Sequence, residues 1–143
     1  EQYGGIEATI NSEMERINAT LYSEKVNPPI LHLEGNSYEF FTQDDTGTGI
    51  AYKGLVVYDL AIASLTKLPI LVHDSLILKQ ISDEAVENIL VRYMESGKQV
   101  IISLDKQDSY SKRTAEILEK QCVLHLAPNG RELFGRAWSR QET

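Results

Sequence analysis

The stretch Leu68–Glu84, LPILVHDSLILKQISDE, decides how this chain reads. Apolar residues from Pro69 to His73 run directly into Asp74 and Ser75, after which the sequence turns polar and a helix opens near Ser82. A short apolar run bounded by polar residues is the pattern of a buried strand. Burying a charge is costly unless it is paired or coordinates a metal. Asp74 therefore either sits at an exposed strand end, capping a loop, or has a ligand to hold.

Downstream, Ser82 or Asp83 caps a helix that carries Glu84 in its first turn and runs to Ser96. Gly97 is its stop signal. A strand over Gln99–Leu104 follows, then a helix from about Ser109 to Lys120, a strand over Cys122–Leu126 and a turn at Asn129–Gly130. Strands alternating with helices predict a parallel sheet with right-handed crossovers. Upstream, Ile50–Lys67 reads as a buried helix, with Leu55, Val56, Leu60, Ile62 and Ala63 as core candidates. It is introduced by a polar loop, with glycines at Gly47, Gly49 and Gly54. Two alternating runs around Glu34-Gly35-Asn36-Ser37 predict an antiparallel hairpin near Ile30–Phe41. In the first segment, Gly5–Ser23, the residues Ile6, Ile10, Met14, Ile17 and Leu21 make one apolar stripe. Asn27-Pro28-Pro29 is expected to stop that helix. The helix either packs on its own domain or is the end of a coiled coil. The fold class is α/β, a mainly parallel sheet flanked by helices with a β-hairpin, divided into an N-terminal helix over 1–28 and a lobe over 29–143.

The 143 residues suffice for one domain with a real core. A net charge of −7 argues against a general nucleic-acid surface, although a local basic patch would survive that average. A single cysteine, Cys122, excludes an internal disulfide framework and reads as a small core hydrophobe. No run reads as long and apolar enough to span a bilayer, and nothing resembles a signal peptide, so a cytoplasmic location without membrane contact is expected. The sequence starts at Glu1 rather than methionine, as a piece of a longer protein would.

Asp74 and Asp105 both end apolar strands that should be neighbours, and ligands in open α/β sheets gather at the carboxyl ends of strands. Two carboxylates there could hold Mg2+ through one or two direct bonds plus waters; equally, aspartate after a strand often caps the next element. The loop before the long helix could offer backbone N–H groups to a phosphate, or its Gly and Thr residues merely start the helix. It is neither a P-loop nor a dinucleotide fingerprint. His32, His73 and His125 fall in separate predicted strands without zinc-ligand spacing, so they read as core or edge-strand imidazoles. Ser75 lies outside any nucleophile elbow. Lys106, Lys112 and Arg113 read as a solvated basic face, and Phe134 and Trp138 as anchors of the C-terminus.

Taken in order, these pieces resemble the C-terminal lobe of the ABC-type ATPase head in SMC- and RecN-like proteins, where signature loop, Walker B strand, D-loop and switch strand follow one another. More closely, GTGIAYKGLVVYDLA, LPILVHDSLILKQISDEAVENI, QVIISLDKQDSYS and NGRELFGRAW resemble the C-terminal domain of bacterial YydD-like coiled-coil proteins of that class, over about Ile30 to Trp138. The resemblance implies that Asp74 is the Walker B aspartate holding Mg2+ on the phosphates of ATP. It implies that Thr46, Gly47, Thr48 and Gly49 form the signature loop reaching a nucleotide bound by a second head. Asp83 approximates the D-loop acid, and Asp105 or Leu104 falls at the switch position. Two departures stand out: Ser75 occupies the place of the catalytic glutamate, where serine is a poor general base, and the switch position carries no histidine.

The sequence contains no Walker A lysine loop, so ATP and Mg2+ would bind only after completion by an N-terminal Walker A half of the same protein. The class implies DNA maintenance or defence, with DNA itself left open as a partner. Two other readings stand beside this one: a non-catalytic interaction domain with an ATPase-like fold, and a small Mg2+-dependent phosphotransferase or nuclease built on Asp74 and Asp105.

Overall fold

The computed structural model describes residues 2–44, 46–104 and 110–136. Among them are five helices and two small sheets, a mixed α/β arrangement. The chain divides into two compact units, Glu1–Ser111 and Lys112–Thr143.

Unit one opens with helix α1, Gln2–Asn18. Of its apolar stripe, Ile10, Met14, Ile17 and Leu21 are buried, while Ile6 remains 54% exposed. The stripe packs on helix α2, Thr48–Leu65, and on strand β1, Pro29–Glu34. α1 ends well before the prolines expected to stop it. Asn18 closes it instead, its Nδ2 donating to the Val26 carbonyl at 2.7 Å and its Oδ1 accepting from the Lys53 ammonium at 2.7 Å. Lys53 is fully buried, with a second bond to the Asn27 carbonyl at 3.2 Å and the Tyr22 ring 5.9 Å away. A buried ammonium is tolerated where its donors are satisfied, and here it ties the α1 exit to α2.

β1 pairs antiparallel with β2, Ser37–Thr42, from Pro29↔Thr42 to Glu34↔Ser37. The turn falls at Gly35 and Asn36, with Gly35 at φ 56, where glycine carries no Cβ penalty. The hairpin lies as the alternation predicts. Its outward main chain is taken up by side chains of α1. Asn11 accepts from Leu31 N–H and donates to Leu31 C=O, both at 2.8 Å, and Glu7 Oε2 accepts from Leu33 N–H at 2.8 Å. That Leu33 N–H is the chief reason the Glu7 carboxyl sits below its usual range. Asn11→Ala should cost about 1–2 kcal/mol by stranding two backbone groups. Urea titration checks this; an unchanged midpoint would mean that water replaces the amide without loss.

α2 is the central core helix. Val56, Val57, Leu60, Ala61 and Ala63 are buried as its apolar face, and Phe40 of β2 meets Tyr58 edge-on at 5.7 Å. Leu55, a core candidate by sequence, is exposed instead, because it falls on the opposite side of the helix. Contrary to the sequence reading, α2 reaches the length and mean hydropathy of a membrane-crossing helix. Its buried residues, Lys53 among them, are those of a helix packed inside a folded unit.

Strand β3, Ile70–His73, leads into a single helical turn α3, Ser75–Leu78, which the sequence reading did not separate from the polar connection. Helix α4, Asp83–Glu95, follows with bounds and the Gly97 stop (φ 65) as its sequence signals predict; Ser82 takes the N-cap position, but its side chain makes no capping bond, and Ser96 is the C-cap. Strand β4, Gln99–Ile102, pairs parallel with β3 in the register Ile70↔Gln99 to His73↔Ile102. The expected parallel neighbours are therefore present, but as a two-stranded pair separate from the hairpin rather than the mainly parallel sheet expected. β3 is buried on one face only: Leu71 and His73 point into the core, whereas Ile70 and Val72 are exposed.

Unit two contains helix α5, Lys112–Gln121, in which Thr114 and Leu118 are buried. The strand expected over Cys122–Leu126 does not form. That run is coil, Val123 is 99% exposed, and Cys122 is an exposed free thiol rather than a core hydrophobe. A strand needs a ladder partner, and the described part of unit two offers one isolated bridge, Ala127↔Arg131, across a turn in which Asn129 and Gly130 both have positive φ. His125 is thus exposed in a coil, not in a strand. Asp105, Lys106, Ser109 and Trp138 lie outside the described residues.

Candidate functional site

Parallel pairing of β3 with β4 brings their carboxyl ends side by side, and the residues that follow each strand meet there. Ser103 N–H donates to the His73 carbonyl at 3.2 Å, continuing the ladder by one bond. Its hydroxyl then donates to Asp74 Oδ1 at 2.6 Å and accepts from Ser75 N–H at 3.1 Å. The Ser103 hydroxyl, with the Ser75 backbone N–H second, holds the Asp74 carboxyl below its usual range. Asp74 is exposed. The first possibility raised by its position is the one observed: it is exposed and starts α3 through its main-chain oxygen, which accepts from Ile77 N–H at 3.1 Å.

The structure thus joins Asp74 and Ser75 and adds Ser103, which sequence reasoning passed over in favour of Leu104 and Asp105. The signal was available: two runs ending in Asp74 and Ser103 fall level once the strands pair in register. Asp105 lies outside the described residues, so the paired-carboxylate expectation has no described second member. Among the described residues no three His, Cys, Asp or Glu side chains group as a metal site.

The glycine loop is built separately. Gly47 has φ −64 and ψ 138, which any residue adopts, and its carbonyl receives Ile50 N–H and Ala51 N–H as α2 begins. Thr46, Gly47 and Thr48 are exposed. Gly49 is packed closely, since a Cβ there would lie 2.5 Å from the Gln80 carbonyl oxygen. The start of α2 therefore rests on the turn joining α3 to α4, at whose end Asp83 opens α4.

Beneath the strand end lies a group the sequence reading missed. His73 is 3% exposed; its Nε2 is 2.9 Å from Asp59 Oδ2 on α2 and its Nδ1 2.6 Å from the Tyr93 hydroxyl on α4. Burial, then the negative charge of Asp59, pushes the Tyr93 hydroxyl well above its usual range, so it remains a donor. The signal was a lone aspartate within the apolar run of α2 and a histidine at the inward position of an alternating strand.

These features define a mixed α/β protein with an outward carboxylate at the end of a parallel strand, steadied by a serine of the neighbouring strand. The chain belongs to the family of uncharacterised proteins conserved in bacteria DUF2326, whose family model matches residues 16–138. No curated protein and no solved structure matches it.

Proposed function

We propose that this chain is the C-terminal half of an ATPase head of the SMC/RecN type, supplying signature loop and Walker B strand to ATP-dependent head association. The observation that carries the reading is the position of Asp74: exposed, one residue past the end of a parallel strand, and held ionised by Ser103. Ligands of α/β sheets collect at such strand ends. The order of elements agrees, from glycine loop into a long helix, through the Asp74 strand, to a helix opening with Asp83.

A single outward carboxylate fits Mg2+, which takes one or two protein carboxylates and completes its shell with phosphates and water. When bound, that ion would neutralise charge on the nucleotide phosphates. Asp74 would hold it, Ser103 would fix the carboxylate's orientation, and Thr46–Gly49 would face the nucleotide of a second head. The reading carries with it an N-terminal Walker A half of the same protein, a coiled coil continuing from α1, a cytoplasmic location and DNA as a candidate partner.

One observation favours a non-catalytic variant of the same head, a domain that associates without turning ATP over. Ser75 stands where a general base is needed, and the imidazole two residues before it, His73, is buried with both ring nitrogens engaged.

Calorimetry with ATP and Mg2+ tests the half-head reading. The chain alone should bind no more tightly than a nonspecific anion, and the complete protein should bind specifically. Micromolar binding by this chain alone would sink it.

A further inference from the structure

The three elements that end in candidate site residues are α2, which opens at Thr48–Gly49, β3, which runs into Asp74, and α4, which opens at Asp83. A single imidazole fastens all three. His73 closes β3, bonds Asp59 of α2 through Nε2 and Tyr93 of α4 through Nδ1, and sits 5.6 Å from the tyrosine ring at a tilt of 31°. A carboxylate only accepts, so Nε2 carries the hydrogen towards Asp59, and in the neutral ring Nδ1 then accepts from the Tyr93 hydroxyl. The same residue's carbonyl receives Ser103 N–H, and Ser103 in turn grips Asp74.

We propose that His73 is the positioning residue of the Asp74 site, a three-way clamp that fixes the Asp74–Ser103 pair relative to the helices bearing the glycine loop and Asp83. Its link to nucleotide chemistry rests on the half-head reading above; the clamp itself rests on geometry alone. Ordinary core packing would be served by any apolar side chain of similar volume. Two directional bonds to different helices serve a different end, since each arm restrains the distance and direction of one neighbour, and a satisfied buried network rigidifies the core around it.

The arms can be cut one at a time. His73→Asn keeps an acceptor near Nδ1 for Tyr93 and loses the Asp59 arm; His73→Gln keeps a donor near Nε2 for Asp59 and loses the Tyr93 arm; Tyr93→Phe removes one hydroxyl with the least disturbance. Amide hydrogen exchange followed by NMR reads the result on this chain. His73→Asn should loosen α2 around Asp59 while α4 keeps its protection, and His73→Gln and Tyr93→Phe should do the reverse. All three should speed exchange at Ser75 and Ser103 by about tenfold relative to the start of β3, the equivalent of one net hydrogen bond.

In wild type, ring nitrogen shifts should report the Nε2–H tautomer. Uniform acceleration across unit one in all three variants, or the opposite tautomer, overturns the proposal and leaves His73 a plain core group. Failure of the complete protein to bind ATP would instead sink the half-head reading while leaving the exchange pattern intact.

Discussion

Asp74→Ala should abolish ATP-dependent head association in the complete protein while leaving its melting curve superimposable on the wild type. The carboxylate is outward and exposed, and Ser103, whose hydroxyl donates to it, is exposed too, so water can take over that bond when Asp74 is lost. If Asp74 holds Mg2+ as proposed, its loss would by contrast remove the attraction that lets a triphosphate bridge two heads. Size-exclusion chromatography with light scattering, with and without ATP, separates the outcomes. If the variant unfolds, Asp74 is a structural cap and the Walker B assignment loses its main support. Ser75→Glu is the companion change, since it places a general base beside Asp74. Turnover should then rise, by roughly 10²–10⁴-fold where an in-line water is well placed. A folded Ser75→Glu protein that associates on ATP yet hydrolyses no faster would favour the non-catalytic variant.

The second large effect is expected at Gly49. An added methyl group would meet the Gln80 carbonyl oxygen at 2.5 Å, and a backbone atom cannot swing aside as a flexible side chain can. Overpacking of this kind costs about 1–3 kcal/mol, and Gly49→Ala should fall at the upper end of that range. For a unit of this size the melting temperature should drop by roughly 10 °C or more. Gly54→Ala is the control: its added carbon would sit 3.4 Å from Phe40 and Pro29, an ordinary contact, and alanine favours the helix by about 1 kcal/mol. Equal melting of the two variants would mean that α2 does not start against the α3–α4 turn. The pair also separates two meanings of the loop: Gly49 is required by packing, whereas Gly47, at φ −64, has a backbone that any residue adopts.

What could be read from the sequence follows a physical divide. Features fixed by neighbours in the chain were legible: the Gly35 hairpin, the Ser82 cap and Gly97 stop of α4, the apolar stripe of α1. The parallel pairing of β3 with β4 followed from alternation of elements. Features fixed by packing between distant segments were not. Asp59, His73 and Tyr93 belong to three elements, and only the way α2 and α4 lie against β3 brings them together. The role of Lys53 likewise depends on distant partners, Asn18 and the Asn27 carbonyl, which its place in the α2 run does not reveal. Ser103 needed the strand register. Cys122–Leu126 failed in the opposite sense, having the composition of a strand without a ladder partner among the described residues of its unit.

The side chains of Asn11 and Glu7 along β1 have a meaning beyond attachment. A strand with free N–H and C=O groups invites another chain to pair with it, the route by which sheets grow into aggregates. On β1 those groups at Leu31 and Leu33 are already occupied by a helix. α1 therefore works as a guard as well as a packing element. It closes one flank of the hairpin to self-association without spending a further strand, and a helix that drifted away would uncover an adhesive edge together with Leu31 and its own buried stripe.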